Sequence, residues 1–374
     1  MNTSYLGGEW YIDEMKTRAN DAAPVPFTLP RSKYAFVNDM VRVIPKVERP
    51  VDIREAMDFF RSEDPRTKVP LVDGTTIDYL PAQRLALPVN KDNAIAAGIV
   101  KEEDRDLMVD TVYLNLRRGV LDKSELMVID LLSNFDWKRP IHFTQVYILQ
   151  NLGLTDYLQF DGYSYRLVPI LTPYDRRVGE IGRIDPDVIY PLLMETFRYG
   201  NVSDPRVYVD NFIQYNLMAS GAREAFARAA KAFLRRGGAG DRDKAVALLD
   251  AGLEKMPPAQ IRYTFSNTFP FLEAYYAAGE MEKGDALLLS YAENLMQYLD
   301  YYLAFEGVQG DMVSGLIDDK LDELGQIYLL AGYAGRRDAV ARLNDYYRTL
   351  GATDEDLLHV DAPGEATDSL LPIP

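Results

Sequence analysis

The segment Leu158-Gln159-Phe160-Asp161-Gly162-Tyr163-Ser164-Tyr165-Arg166-Leu167 decides the fold of the first half of the chain. Apolar and polar residues alternate on both sides of Asp161-Gly162, a pair that favours a tight turn between antiparallel strands. A two-residue turn pairs Phe160 with Tyr163, and it brings Leu158 opposite Tyr165 on the same apolar face. This segment therefore predicts a β-hairpin.

Strands and short helices alternate upstream of this hairpin, so we predict a mixed α/β domain over residues 1–190. Asp52 and Glu55 have the spacing of a helix capping box, as do Asp122 and Glu125, and an apolar helical face follows each pair. Residues 10–19 predict a further short helix, and residues 112–116 alternate as a half-buried strand does.

A second hairpin is predicted around Asp73-Gly74. A three-residue loop over residues 73–75 pairs Leu71 with Ile77, whereas a two-residue loop puts the apolar residues on opposite faces. The pattern therefore favours the longer loop with a glycine bulge.

The second half of the chain has helical periodicity from about Pro205 onward. Two apolar helical faces within residues 226–256 are separated by a glycine-rich turn and end at Pro257-Pro258. The order of small and large residues resembles a tetratricopeptide hairpin, and it recurs loosely around Gly279 and Gly332.

These patterns predict three parts. A mixed α/β domain over residues 1–190 is followed by an all-α tetratricopeptide-like helical-repeat region over residues 191–352. The acidic, proline-bearing segment over residues 353–374 is predicted to be a flexible tail.

The composition excludes several classes of function. The net charge is −16, from 41 basic and 57 acidic residues, and no basic patch interrupts it, so no nucleic-acid partner is predicted. No stretch approaches the roughly 18 apolar residues of a membrane helix, so we predict no direct membrane insertion by this chain. The chain has no cysteine, which removes disulfides and thiolate metal sites, and we predict neither a cofactor nor a metal.

The two histidines are the first candidates for catalysis. His142 is able to act as a general base. No serine or carboxylate lies at a recognisable spacing from it, however, so a strand residue without a catalytic role is the preferred interpretation. His359 lies in the polar tail. We predict no catalytic residue.

Two carboxylate clusters and one tyrosine cluster have two interpretations each. The carboxylates are Glu9, Asp13 and Glu14, and then Glu102, Glu103, Asp104 and Asp106. Paired carboxylates can perform acid–base chemistry or hold a metal, but adjacent acids on one helix more often form a solvated face. Tyr298, Tyr301 and Tyr302 either line a groove for a sugar or peptide or fill the space between helices, and we prefer the second interpretation.

Three motifs in the first half carry a family resemblance. They are Asn2-Thr3-Ser4-x-Leu6-x-x-Glu9-Trp10-Tyr11-Ile12-Asp13-x-Met15-Lys16, Asp136-Trp137-Lys138-Arg139-Pro140-Ile141-His142-Phe143, and Gly153-Leu154-x-x-Tyr157-Leu158-Gln159-x-Asp161-Gly162-x-x-Tyr165-Arg166-Leu167-Val168-Pro169-Ile170. Over residues 1–190 the chain resembles the C-terminal soluble region of the protein O-mannosyltransferase-like bacterial membrane proteins. These are glycosyltransferase family 117, with domain of unknown function 2723.

The resemblance implies that a membrane-spanning transferase-like module precedes this chain, and that the chain is soluble and faces the periplasm at a bacterial inner membrane. It also implies that the α/β domain is truncated at its N-terminal edge. It brings no catalytic residue to this chain, although the full-length protein resembles a glycosyltransferase. Four matching residues are candidates for binding: Trp137, Arg139, Asp161 and Arg166. We place Arg166 on the polar face of the hairpin.

The expected function is that of a non-catalytic periplasmic domain of a membrane glycosyltransferase-like protein. Its expected partners are an acceptor polypeptide or glycan and the protein's own membrane-spanning region. A free-standing tetratricopeptide-like interaction scaffold is the alternative. A carboxylate-dependent hydrolase is a more distant one.

Overall fold

The computed structural model describes residues 2–17, 23–35, 37, 39–72, 74–174, 180–214 and 221–358. These residues form two compact units. The first contains the described residues of 1–160 and 164–183, and the second contains those of 161–163 and 184–358.

The first unit combines three small sheets with short helices, which confirms the predicted mixed α/β class. Its helices are α1 (Glu9–Thr17), α2 (Ile53–Arg61), α3 (Lys91–Ala96), α4 (Lys123–Ser133) and α5 (Tyr147–Leu152). Its strands are β1 (Met40–Val43), β2 (Val51–Asp52), β3 (Lys68–Pro70), β4 (Thr76–Leu80), β5 (Arg84–Pro88), β6 (Thr111–Asn115), β7 (Val120–Asp122), β8 (His142–Phe143), β9 (Leu158–Phe160) and β10 (Tyr165–Leu167).

The three sheets have the strand orders β3-β4-β1-β7, β2-β5-β6 and β8-β10-β9. Strands β1 and β4 pair in parallel, as do β2 and β5, and the other pairs are antiparallel. Parallel neighbours need a crossover connection. Helix α2 belongs to the connection between β1 and β4 and also to the one between β2 and β5.

Helix α4 is the centre of the first unit. Its capping box is confirmed: Glu125 N donates to Asp122 Oδ1 over 2.9 Å, and Asp122 N donates to Glu125 Oε2 over 2.9 Å. We predicted one apolar face for α4, but every residue from Glu125 to Ser133 is buried. The reason is that other elements cover the face that the pattern assigned to solvent.

The buried acids of α4 are tolerated because hydrogen bonds satisfy them. Asp130 is fully buried and accepts hydrogen bonds from Thr28 N at 2.7 Å, Leu29 N at 3.1 Å and Arg61 Nη2 at 2.8 Å. This carboxylate therefore fastens residues 28 and 29 to the core.

The capping box predicted for α2 is only partly formed: Asp52 caps the helix, but Glu55 makes no hydrogen bond back to Asp52. Asp52 does cap the helix, but it accepts from Arg54 N at 2.8 Å and not from the residue after it. Asp52 is also the last residue of β2, where it pairs with Ala86. Glu55 is exposed and makes no reciprocal cap.

Both predicted hairpins exist, and both predicted registers are wrong. Phe160 pairs with Tyr165, so the loop has four residues and not two. In the other hairpin Val69 pairs with Ile77, so the predicted pairing of Leu71 with Ile77 does not occur.

In that second hairpin Leu71 N donates to Thr75 O over 2.8 Å, and Gly74 supplies a positive φ of 81° for the turn. Asp73, which we assigned to this loop, lies outside the described residues. In both hairpins the observed register differs from the predicted one by two residues along the ladder. Such a shift keeps every side chain on its predicted face, so alternation alone does not detect it.

The second unit is helical from about residue 224, which confirms the predicted all-α class. Its helices are α6 (Pro186–Pro191), α7 (Glu224–Arg236), α8 (Asp241–Lys255), α9 (Phe265–Ala277), α10 (Met281–Leu303), α11 (Gly307–Tyr333) and α12 (Arg337–Thr349), and a π-helical turn, Leu192–Thr196, continues α6. The described residues 197–210 contain no helix, so continuous helical structure begins later than the expected Pro205. Most of the predicted tail, residues 359–374, lies outside the described residues.

Tyrosines join the helices of the second unit through carboxylates. Tyr275 donates to Asp250 at 2.9 Å, Tyr276 to Asp285 at 3.0 Å, Tyr346 to Asp300 at 2.9 Å, and Tyr291 to Glu323. Each bond connects two different helices. Four of the 25 tyrosines of this chain therefore join neighbouring helices in this way.

Candidate functional site

The motif around Trp137 forms a turn with a buried tryptophan at its centre. Trp137 is 1% exposed, its Nε1 donates to Pro88 O over 2.8 Å, and its ring lies 4.6 Å from that of Phe135. Its φ of 65° is left-handed, a conformation that costs an ordinary residue about 1–2 kcal/mol. The buried ring and its hydrogen bond offset that cost.

The neighbours of Trp137 stabilise the same turn. Lys138 N donates to Asp136 Oδ1 over 3.2 Å, and Lys138 Nζ lies 2.8 Å from Asp136 Oδ2. The side-chain bond from Lys138 lowers the pKa of the Asp136 carboxyl. Arg139 is exposed, and its Nη1 donates to Ala23 O over 3.2 Å. The motif thus ties residue 23 to the turn.

The two predicted binding residues of the hairpin are buried. Arg166 is 9% exposed and donates through Nη1 to Gly98 O over 2.7 Å. Arg166 lies opposite Gln159, on the polar face of the hairpin where we placed it, but another part of the first unit covers that face. Asp161 is 5% exposed. Of the four predicted residues only Arg139 faces solvent, so the four do not form one open site.

Three of the remaining catalytic candidates, His142, Glu102 and Asp104, are engaged in local contacts. His142 is exposed in β8, with Nδ1 3.2 Å from Ser164 Oγ, and His359 lies outside the described residues. Glu102 pairs with Arg105 at 2.7 Å, and Asp104 pairs with Arg183 at 2.9 Å. Within the described ranges no group of three or more histidine or acidic side chains is gathered as metal ligands would be.

The two lysines that line a cavity in the first unit both form ion pairs. It has a volume of about 240 Å³ and is lined by Lys33, Lys123, Asp78 and apolar residues. Lys33 Nζ lies 2.9 Å from Glu63 and 3.1 Å from Asp78, and Lys123 Nζ lies 2.6 Å from Asp39. The cavity therefore offers no unpaired ammonium group to an anion.

Two exposed aromatic rings and one half-buried ring form a cluster at the start of the chain. Trp10 is 61% exposed and Tyr5 is 55% exposed, with ring centroids 6.3 Å apart. Tyr11 lies 5.5 Å from Trp10 and 5.7 Å from Tyr5. We call Tyr5, Trp10 and Tyr11 the N-terminal aromatic surface.

Helix α1 explains why this surface is open. Its buried residue is Ile12, and Trp10 lies two positions earlier, about 200° away around the helix. The large ring is therefore turned away from the core. The sequence analysis placed Trp10 in a helix and in a family motif but did not identify it as a surface residue. The sequence signal that could have identified Trp10 as a surface residue is its position on the side of α1 opposite Ile12.

Charged groups border the N-terminal aromatic surface. Asp13 follows Trp10 by three positions, so the two share one side of α1. Asp13 accepts from Tyr34 OH at 2.6 Å and from Arg31 Nε at 3.0 Å, and these bonds lower the pKa of its carboxyl. Glu9 Oε2 lies 3.6 Å from Arg31 Nη2. Helix α1 therefore carries two carboxylates on the residues that neighbour Trp10 along and around the helix.

Comparison with known proteins identifies the family of the first half. No curated protein and no solved structure matches the chain. Within the described residues no helix has both the length and the apolar composition of a membrane span. Residues 1–188 match the model of a family described as TMEM260-associated domain 2, and TMEM260 is a glycosyltransferase-like membrane protein. The chain therefore belongs to the TMEM260-associated domain 2 family.

Proposed function

We propose that this chain is the non-catalytic part of a membrane glycosyltransferase of the family 117 type. It lies on the periplasmic side of a bacterial inner membrane and positions an acceptor polypeptide or glycan for the membrane-spanning region. The observation that carries the proposal is the exposed Trp10, which lies within the residues matched by the TMEM260-associated family.

The chemistry of the N-terminal aromatic surface suits a saccharide. An aromatic ring presents an apolar face on which the C–H side of a sugar ring can stack. The neighbouring carboxylates accept hydrogen bonds, which sugar hydroxyls donate. Trp10 supplies the ring face, and Glu9 and Asp13 supply the acceptors.

The electrostatics favour binding over catalysis at this surface. Hydrogen bonds from Tyr34 and Arg31 lower the pKa of Asp13, so Asp13 is ionised near neutral pH. An ionised carboxylate accepts hydrogen bonds but has no proton to give to a leaving group. Asp13 therefore suits the role of a positioning acceptor.

Tryptophan fluorescence tests the proposal directly. The chain has two tryptophans, Trp10 and Trp137, and Trp137 is 1% exposed. Titration with mannobiose should change the emission of Trp10 in a saturable way. One stacked face with few hydrogen bonds supplies about 4 kcal/mol, which corresponds to a dissociation constant of about 1 mM.

Two variants make the test specific. Trp10→Phe should remove the saturable change and leave the emission of Trp137 in place as a control for folding. Tyr174→Ala, at another exposed aromatic residue, should bind as the unchanged chain does. A signal that is the same in Trp10→Phe and in the unchanged chain would contradict the proposal.

A further inference from the structure

The first half of α11 carries an apolar stripe that faces solvent. Val308 is 76% exposed, Met312 is 79% exposed and Leu316 is 45% exposed. They are four residues apart, so their side chains lie on one side of the helix. The second half of the same helix is packed, with Leu324, Ile327, Tyr328 and Ala331 buried. The stripe is therefore separate from the core face of α11.

An aromatic residue of α10 lies close to the start of this stripe along the chain. Tyr301 is 62% exposed, and its ring centroid lies 5.1 Å from that of Phe305 and 5.6 Å from that of Tyr302. Helix α10 ends at Leu303 and α11 begins at Gly307, so a short connection keeps these groups at one end of the helical pair. We call Tyr301, Val308, Met312 and Leu316 the α10–α11 surface.

A row of acids borders the stripe. Asp311, Asp318, Asp319 and Asp322 are exposed, and in the described part of the chain none of the four forms an ion pair. Asp311, Asp318 and Asp322 are separated by seven and then four positions, so they form a line along the helix beside the apolar one. The surface thus combines an apolar strip with unneutralised negative charge.

We propose that the α10–α11 surface docks an amphipathic helix from another polypeptide, with apolar residues along one side and lysine or arginine beside them. Apolar side chains at intervals of three and four residues match the stripe, and the basic residues neutralise the acids. This inference does not depend on the saccharide site, because the two rest on different residues.

The charge argues against two other occupants. A second copy of this chain would bring the same aspartates toward the first copy's aspartates, and like charges that meet at an interface disfavour it. A membrane with anionic headgroups is repelled by the same row and by the net charge of −16. A basic peptide is the occupant that both features of the surface favour.

The experiment uses the full chain and two synthetic helical peptides. The first is a fluorescein-labelled peptide of about 18 residues, about 27 Å long as a helix, with leucine at intervals of three and four and lysine beside it. The second peptide has glutamate in place of each lysine. Fluorescence anisotropy should show saturable binding of the lysine peptide and none of the glutamate peptide. Equal binding of the two would overturn the proposal.

Variants separate docking from general charge attraction. Met312→Asp should weaken binding by about tenfold or more, since it puts a charge into the centre of the stripe. Val72→Asp, at a fully exposed apolar residue of the first unit, should leave it unchanged. Circular dichroism verifies that each variant is folded. Undiminished affinity in a folded Met312→Asp variant would contradict the proposal.

Charge reversal completes the design. Asp318→Lys with Asp319→Lys should lower the affinity and flatten its dependence on salt. Glu55→Lys with Asp106→Lys changes the net charge equally at two exposed acids of the first unit, and it should preserve binding. Equal losses in both pairs would overturn specific docking. A dimer of the unchanged chain that Met312→Asp dissociates would overturn the choice of occupant, in favour of a second copy.

Discussion

Trp137 combines two requirements that usually fall on different residues. Its left-handed φ of 65° is a conformation that glycine adopts at little cost, yet glycine lacks the ring that fills the space beside Phe135. It also lacks the indole N–H that reaches Pro88 O at 2.8 Å. The backbone strain at residue 137 is therefore offset by the packing and the hydrogen bond of the tryptophan side chain.

Trp137→Phe should destabilise the chain by about 1–3 kcal/mol, because the ring shrinks in a buried place and Pro88 O, which is half-buried, loses its donor. Urea unfolding followed by circular dichroism measures the difference. Trp10→Phe is the same substitution at an exposed ring and should change the free energy of unfolding by less than about 0.5 kcal/mol. Equal stability of the two variants would show that the hydrogen bond to Pro88 contributes nothing.

For single residues, the sequence pattern predicted solvent exposure poorly. The motif residues Trp137, Asp161 and Arg166 were chosen as binding residues, and the structure buries all three. A polar or aromatic residue in a family motif has the same appearance whether it binds a ligand or fixes a turn. The difference depends on which segments cover it, and in the case of Arg166 the covering residue, Gly98, is distant in sequence.

At the scale of elements the sequence predicted far more. The capping box of α4 and both hairpins are formed, because such signals depend on neighbours along the chain. The predicted registers of both hairpins were wrong. In the β9–β10 hairpin the ring of Tyr163 stacks 4.7 Å from Phe197 and does not continue the strand. That contact takes Tyr163 out of the ladder, and no local pattern shows it.

Two glycines inside helices should respond to substitution with opposite signs. A Cβ at Gly252 would lie 2.9 Å from Phe226 Cβ and 2.9 Å from Phe271 Cζ, so Gly252→Ala should destabilise by about 1–3 kcal/mol. A Cβ at Gly315 would meet nothing within 4 Å, so Gly315→Ala should stabilise by about 0.5–1 kcal/mol. Thermal unfolding of both variants measures the difference. Effects of equal sign would refute the close approach of α8 to α7 and α9 at Gly252.

At the scale of the whole molecule, fold class was predictable and function was not. The period of the apolar residues changes from two to 3.6 along the chain, and the structure follows that change from sheets to helices. The two surfaces proposed for binding depend instead on which sides of α1 and α11 remain uncovered in the described part of the chain. Tertiary packing decides this, and local sequence patterns do not show it.

Net charge supplies a prediction at this same scale. With a net charge of −16, like charges dominate the long-range electrostatics. Raising the salt from about 0.01 M to about 0.15 M shortens the screening length from about 30 Å to about 8 Å. The midpoint of thermal unfolding should therefore rise, since exposed ion pairs contribute little to oppose the change. A midpoint that falls with added sodium chloride would show that attractive pairs outweigh the repulsion.

The tip of the β9–β10 hairpin has a consequence for how this protein can be recombined in evolution. Residues 161–163 group with the second unit, where Gly162 and Tyr163 meet Phe197, although the strands on either side belong to the first. The match to the family model ends at residue 188, before Phe197. A gene fusion at that boundary would inherit Tyr163 without the ring that stacks on it. We expect descendants of such a fusion to carry either another aromatic neighbour for Tyr163 or a smaller residue at that position.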